Sequence, residues 1–144
     1  MNLKPIGVIH TPFKTREEVE LCDSRKAKGT VEIYPEFAEG LLDLEGFERI
    51  ILIFCFHQSK GYELLIRPRP DPEHLHGVFS TRSPRRPNPI GLTAVKLLKR
   101  ENNILYVKGV DMLEGTPLLD IKPYIPRADS FKTARNGWLA SREA

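Results

Sequence analysis

Cysteine, tryptophan and long apolar runs are what this sequence has least of: two Cys, one Trp, and no uninterrupted apolar stretch longer than Ile50 to Phe56. Cys22 and Cys55 stand far apart with no CxxC or Cys-to-His spacing beside either. A disulfide framework and a structural zinc site are therefore excluded, and both are read as reduced thiols. Ile50 to Phe56 is much too short to cross a bilayer as a helix, which takes about 20 residues. The opening residues, MNLKPIGVIH, lack the apolar centre of a signal peptide. A soluble cytoplasmic protein is the expectation, with no membrane partner. Also absent are a GxGxxG after an early strand, a GxxxxGK[ST] phosphate loop and a GxSxG nucleophile elbow. Dinucleotide-binding, P-loop and α/β-hydrolase readings have no local support. Neither internal repeats nor low-complexity tracts occur.

What is present fits one compact domain spanning residues 1–144. Short β-type runs dominate, bounded by Gly, Pro, Asn or Asp: Leu3–Ile9, Thr30–Tyr34, Arg49–His57, Tyr62–Arg67, Gly77–Thr81, Leu92–Lys99, Ile104–Lys108 and Pro117–Ile121. Such spacing predicts a mainly β protein, a single antiparallel barrel, with one or two short helices. Ile50 to Phe56 is apolar at every position and is expected to be buried on both faces. One short helix is expected from Pro35, with proline at its first position, ending before Gly46. A second is expected over part of Ser130 to Trp138, followed by a frayed tail. Lys14 to Gly29 is charged and aperiodic, and reads as a mobile loop.

Charge is unevenly placed. Between Lys60 and Arg100 nine Lys or Arg face three acids, whereas the remainder of the chain has a surplus of acids. A segregated basic surface is the footprint of a phosphate or nucleic-acid binder. The densest segment is Gly77 to Leu92, GVFSTRSPRRPNPIGL. Proline fixes φ and lowers the entropy lost on ordering, while arginine offers a planar fork of donors that fits carboxylate or phosphate. Asn88, between two prolines, either caps a turn or reads a ligand.

Three further constellations could carry chemistry. His57-Gln58 falls where the most apolar strand leaves the core, a place suited to ligand recognition or to a histidine satisfied by backbone. Asp111, Glu114 and Asp120 lie among apolar residues and the turn formers of Val110 to Pro126, as turn caps or as working carboxylates. His74 and His76 alternate along one strand and with His57 could ligate a metal in a cupin-type barrel. No carboxylate follows at a matching spacing, and no metal is expected.

Taken together, IGVIHTPF, FHQ (Phe56 to Gln58), GVFSTRSPRRPNPIGL and DMLEGTPLLDIKPYIP resemble the TsaA-like family, also called TrmO. The resemblance covers nearly the whole chain. It implies a non-Rossmann β-barrel methyltransferase that uses S-adenosyl-L-methionine to methylate N6 of the threonylcarbamoylated adenosine next to the tRNA anticodon, acting as a homodimer. Matching motifs carry cofactor contacts to His57, Gln58, Arg82, Leu92, Asp111, Met112, Leu113 and Glu114. The chain departs from many members in lacking a proline-arginine-glutamine type motif between Lys14 and Gly29. It is expected to be the barrel domain alone, without the C-terminal extension of longer members.

On that footing Arg85, Arg86 and Asn88 are expected to bind substrate, through phosphate or the threonyl carboxylate. His57, Asp111 and Asp120 are the candidates for the catalytic base, unranked by sequence. The rival reading is a non-catalytic barrel that binds RNA or S-adenosylmethionine without methyl transfer.

Overall fold

The computed structural model describes residues 1–142, so the frayed end expected at Glu143 and Ala144 lies outside the described residues. Eight strands form among the described residues: β1 (Gly7–His10), β2 (Lys28–Ile33), β3 (Arg49–Cys55), β4 (Leu65–Ile66), β5 (His76–Gly77), β6 (Ile90–Glu101), β7 (Ile104–Lys108) and β8 (Thr116–Pro123). Six close an antiparallel barrel in the order β1-β2-β7-β6-β3-β8, while β4 and β5 pair separately. The mainly β, non-Rossmann barrel expected from the sequence is the observed fold.

Strand periodicity explains the closure. Side chains on a strand alternate between faces, so each barrel strand sends every second residue inward. Ile9, Val31, Ile33, Leu105, Val107 and Leu118 point inward and are almost completely buried. Along β3 the alternation holds despite the unbroken apolar run: Ile50, Leu52 and Phe54 are buried, whereas Ile51, Ile53 and Cys55 are only half-buried. Within a single chain the expected burial on both faces is thus not found, because the wall of a barrel has one interior face and nothing among the described residues fully covers the other. Two irregularities bend the wall. The β3–β8 register slips between Ile53 and Phe54, leaving Leu119 unpaired there, and the β6–β7 register slips between Leu97 and Lys99.

Backbone contacts divide the chain into two compact units, Met1–His57 with Ile90–Tyr124, and Gln58–Pro89 with Ile125–Ala144. The first is the barrel. Pro35 opens a 3-10 helix, Pro35–Leu41, where a short helix was expected, and only Leu41 of it is buried. Lys14 to Gly29 is not the unstructured connection expected of a loop. It holds α1 (Arg16–Leu21), a 3-10 turn at Ser24–Lys26 and the start of β2. A capping box starts α1: the Thr15 hydroxyl accepts from the Glu18 N–H at 3.2 Å, and the Glu18 carboxylate accepts from the Lys14 N–H and the Thr15 hydroxyl.

The second unit has little apolar core, with Val78 the one fully buried hydrophobic side chain among its described residues. A polar hub holds it instead. Asp71, 6% exposed, accepts from His74 Nδ1 at 2.9 Å and His76 Nε2 at 2.8 Å, and pairs with Arg142 at 3.3 Å. The hydrogen bonds of His74 and His76 pull its carboxyl down to about 2. His76 also stacks on Trp138 with ring centroids 4.3 Å apart, and the Trp138 indole N–H donates to the Ser80 carbonyl at 2.9 Å. The helix expected within Ser130 to Trp138 is replaced by α2 (Pro126–Asp129) and a 3-10 turn at Gly137–Ser141. Pro126 sets the helical start, and Gly137 at φ 57 breaks any continuation from the preceding residues.

Glycine is required where strands pass closest. A Cβ on Gly7 would run into the Glu32 carbonyl oxygen across β1–β2, and one on Gly91 would lie 2.7 Å from ring atoms of both Phe54 and Phe56. The two rings pack edge to face at 5.3 Å, so neither can retreat freely. Gly91→Ala is expected to cost about 1–3 kcal/mol by overpacking, and Gly7→Ala at least as much. Gly40→Ala, with open space around it, should be neutral or slightly stabilising. Thermal melts of the three variants check this ordering.

Candidate functional site

Antiparallel closure decides which residues meet. The ends of β1, β3 and β7 and the starts of β2, β6 and β8 share one rim of the barrel. That rim carries His10 and Thr11 after β1, His57 after β3, Leu92 and Thr93 early in β6, and the Asp111–Glu114 turn before β8. The opposite rim carries an apolar groove of about 380 Å³, lined by Ile6, Ile33, Phe37, Leu41, Phe47 and Asp120 among others.

The Asp111–Glu114 turn is fastened from several sides. Thr93 donates its hydroxyl to Asp111 Oδ1 at 2.7 Å, and Thr11 donates its hydroxyl to the Met112 carbonyl at 2.9 Å. The Thr11 N–H donates to Glu114 Oε1 at 2.9 Å, the Glu114 N–H to the Phe13 carbonyl at 2.7 Å, and the Gly115 N–H to the Ile9 carbonyl at 3.0 Å. Gly115, at φ 80, takes a conformation that favours glycine and lets the chain enter β8. Met112 is buried in the core, Leu113 and Asp111 are half-buried, and Glu114 is exposed. Two carboxylates therefore sit on one rim in fixed positions.

His10 is the residue that sequence reasoning missed. Its Nδ1 lies 3.0 Å from Glu114 Oε2 and its Nε2 lies 3.2 Å from Glu32 Oε1, so one imidazole bridges two carboxylates. The hydrogen bond to Glu114 raises its pKa above 6.5, with Glu32 adding to the rise and partial burial opposing it. Glu114 is correspondingly held below 4.5, first by His10 and then by the Thr11 and Gly115 amides. Alternation along β1 puts His10 on the outer face with Glu32 of β2, a signal present in the sequence. The Glu114 partner, 104 positions away, is not.

The remaining barrel candidates separate. His57 is exposed, and its N–H donates to the Cys55 carbonyl at 2.9 Å. Leu92 is 52% exposed on the outer wall opposite Ile53. Asp120 lies four residues into β8, roughly 13 Å along the strand from Thr116, at about 3.3 Å per residue. There it pairs with Lys122 at 3.1 Å and lines the opposite groove. It does not join Asp111.

In the second unit, Gln58, Arg82, Arg85 and Asn88 are exposed. Arg82 forms no hydrogen bond or ion pair with a described residue. Arg85 pairs with Glu63 at 3.2 Å, both about half exposed, a contact weak enough in water to yield to a better anion. Arg86 is occupied: its guanidinium donates to the Thr81 and Ser83 carbonyls, each at 3.0 Å, stapling the loop.

A closed barrel whose carboxylates and histidines gather on one rim, with arginines on a stapled loop in a separate unit, defines a class of ligand-binding β-barrel distinct from the wound sheets that hold most nucleotides. Residues 8–130 match the model of the tRNA-methyltransferase O N-terminal domain. A probable S-adenosyl-L-methionine-binding protein of Pyrococcus abyssi is 52% identical over 138 residues, covering 94% of this chain and 74% of that protein. The human tRNA (adenine(37)-N6)-methyltransferase is 39% identical over 137 residues, covering 88% of this chain but 31% of that protein. A crystal structure of TrmO superposes with a TM-score of 0.78 at 40% identity, covering 95% of this chain and 63% of that one. The chain belongs to the tRNA-methyltransferase O family. It spans about three-fifths of the TrmO crystal chains and under a third of the human relative.

The His10 clamp has a pH window set by its two shifts. His10 has its folded value above 6.5, so its contribution is full below 6.5 and fades as pH rises through the folded value. Glu114 has its folded value below 4.5, so its contribution is full above 4.5 and fades as pH falls through that value. The stability lost in His10→Gln should be greatest between about pH 4.5 and 6.5 and smaller at pH 8. Urea denaturation of both proteins across that range reads this directly.

Proposed function

We propose that this chain is an S-adenosyl-L-methionine-dependent methyltransferase acting on N6 of the adenosine next to the tRNA anticodon, with its threonylcarbamoylated form as the preferred acceptor. The carrying observation is the fastened Asp111–Glu114 turn on the motif rim of a chain that belongs to this family. Relatives named as S-adenosyl-L-methionine-binding proteins and as tRNA (adenine(37)-N6)-methyltransferases support the reading. The donor set fits the methyl donor, because carboxylates suit a sulfonium cation. His57, Leu92 and the Asp111–Glu114 turn of the barrel unit are proposed to hold it.

When bound, the sulfonium supplies an electrophilic methyl group that passes in line to N6, releasing a neutral thioether and the N6 proton. The residues of this chain have two tasks. Asp111, oriented by Thr93, and Glu114, oriented by Thr11 and His10, hold their carboxyl groups in place before reaction begins. Holding donor and acceptor in near-attack geometry supplies the larger part, up to about 7–11 kcal/mol in favourable cases. An acyl-bearing N6 is a poor nucleophile, and Asp111 or His57 on the same rim takes its proton in this reading. Asp120 on the far rim is the weaker candidate.

The outer barrel wall supports a homodimer. Ile53 faces Leu92, Ile51 faces Ala94 and Cys55 faces Ile90 across β3–β6, making an outward band of apolar side chains. Ile90 and Leu92 are 37% and 52% exposed. A second copy offering the same band would bury it with two-fold symmetry. In this reading a tRNA substrate supports a cytoplasmic location.

Asp111→Ala should weaken binding of S-adenosylhomocysteine, whereas Arg85→Ala should weaken tRNA binding and flatten its salt dependence by about one phosphate contact. Calorimetry and filter binding read the two effects. Mass spectrometry of tRNA nucleosides incubated with protein and donor should show one added methyl on adenosine. Donor binding without that product would leave a binding protein only. Leu92→Glu should shift the protein to monomer in light scattering at micromolar concentration, and an unchanged dimer would move the interface elsewhere.

A further inference from the structure

Phe79 is 75% exposed, and its position is fixed rather than loose. It sits on the 3-10 turn Val78–Ser80, whose preceding residue in the turn, Val78, is buried at 1%. The Ser80 hydroxyl donates to the Gly77 carbonyl at 2.7 Å, the Thr81 hydroxyl donates to the Val78 carbonyl at 2.8 Å, and the Trp138 indole donates to the Ser80 carbonyl at 2.9 Å. The Val78 N–H donates to the Leu64 carbonyl at 2.8 Å, extending the β4–β5 ladder toward Tyr62, itself 57% exposed. A turn stapled at this many points holds an aromatic face in water, where the hydrophobic effect disfavours it. Three residues on, Arg82 is exposed and without a partner among the described residues.

The unit that displays these rings holds ten Lys or Arg against five Asp or Glu, whereas the barrel unit holds twelve against fourteen. A second copy pressed on this face would set like charge against like. A polyanion with exposed π-faces meets both demands. Duplex nucleic acid hides its base faces in the stack, so the fitting occupant is an unpaired loop.

We propose that Phe79, with Arg82 and Arg85 for the phosphates, is a stacking platform for an unpaired base of an RNA loop. This rests on the tRNA reading above and adds residues that hold a base by its face rather than by its charge. Because the ring makes no ionic contact, its loss should weaken affinity without altering the salt slope, the reverse of an arginine deletion.

The test uses the full chain and a synthetic anticodon stem-loop RNA carrying 2-aminopurine in the loop. Phe79→Ala is expected to bind about ten-fold more weakly with an unchanged salt slope, and Phe79→Leu, apolar but without a π-face, should bind as weakly. Phe79→Trp should restore affinity, and loop fluorescence should be quenched by the wild-type and Trp proteins but not by the Ala variant. Wild-type affinity in Phe79→Ala overturns the platform and leaves the methyltransferase reading intact. A change in oligomeric state caused by Phe79→Ala assigns the ring to a subunit contact and overturns it equally. Failure of the wild-type chain to bind the RNA, with S-adenosylhomocysteine still bound, overturns the platform and the tRNA reading together.

Discussion

Closure of an antiparallel barrel is the constraint on which the candidate site depends. With every neighbouring pair running in opposite directions, alternate strand ends are forced onto the same rim, so segments far apart in sequence meet without any long connection between them. IGVIHTPF, FHQ and DMLEGTPLLD become neighbours for this reason. Strand ends are also where polar groups leave the interior for water, so the rim can hold carboxylates and imidazoles while the inward-facing residues of the same strands remain apolar. An open sheet of the same strands would distribute these motifs along an edge and lose their convergence.

Within that frame the two units solve the problem of precise placement differently. The rim turn is positioned by main-chain amides and threonine hydroxyls, groups that carry no net charge of their own. His10 is the exception, a titratable group between two acids, and it gives the clamp its pH window. In the arginine loop the prolines remove backbone donors, which makes the remaining hydrogen bonds decisive. Arg86 closes the loop by donating to two carbonyls, while its neighbour Arg85 makes only a solvent-exposed pair with Glu63. One arginine of three is consumed in presenting the other two.

Much of this was legible in the residues, and the misses have physical causes. Runs such as Val31, Ile33 and Leu105, Val107 announce a half-buried strand, and their regular spacing announces a barrel. Ile50 to Phe56 misled because apolar content alone does not tell which side chains face the interior, and a barrel wall has one interior face. The Thr15-to-Glu18 capping box was readable but buries nothing in the helix it starts, so periodicity gave no support for α1. Tyr62–Arg67 and Gly77–Thr81 look like strands by composition. They shrink to two paired residues each because the serine and threonine hydroxyls after Gly77 bond locally and curl the chain into a 3-10 turn. Asp71 with His74 is local and visible, but Arg142 reaches it only through tertiary structure.

The same reasoning explains why apolar exposure concentrates in the second unit. A short, interrupted segment cannot enclose a core of its own, since surface outweighs volume at that size. Val78 is the only hydrophobic residue it buries completely among those described, and the Asp71 hub with its histidine, tryptophan and arginine partners takes over the holding role. Polar hubs specify geometry without consuming apolar side chains, so Tyr62, Leu64, Leu65, Phe79 and Phe131 remain at the surface. In the barrel the balance is reversed: apolar residues are spent on the interior and the polar groups work at the rim. The chain is thereby divided into an apolar-cored acidic unit and a polar-cored basic one. Each surface carries its charge because of how the fold beneath it is held.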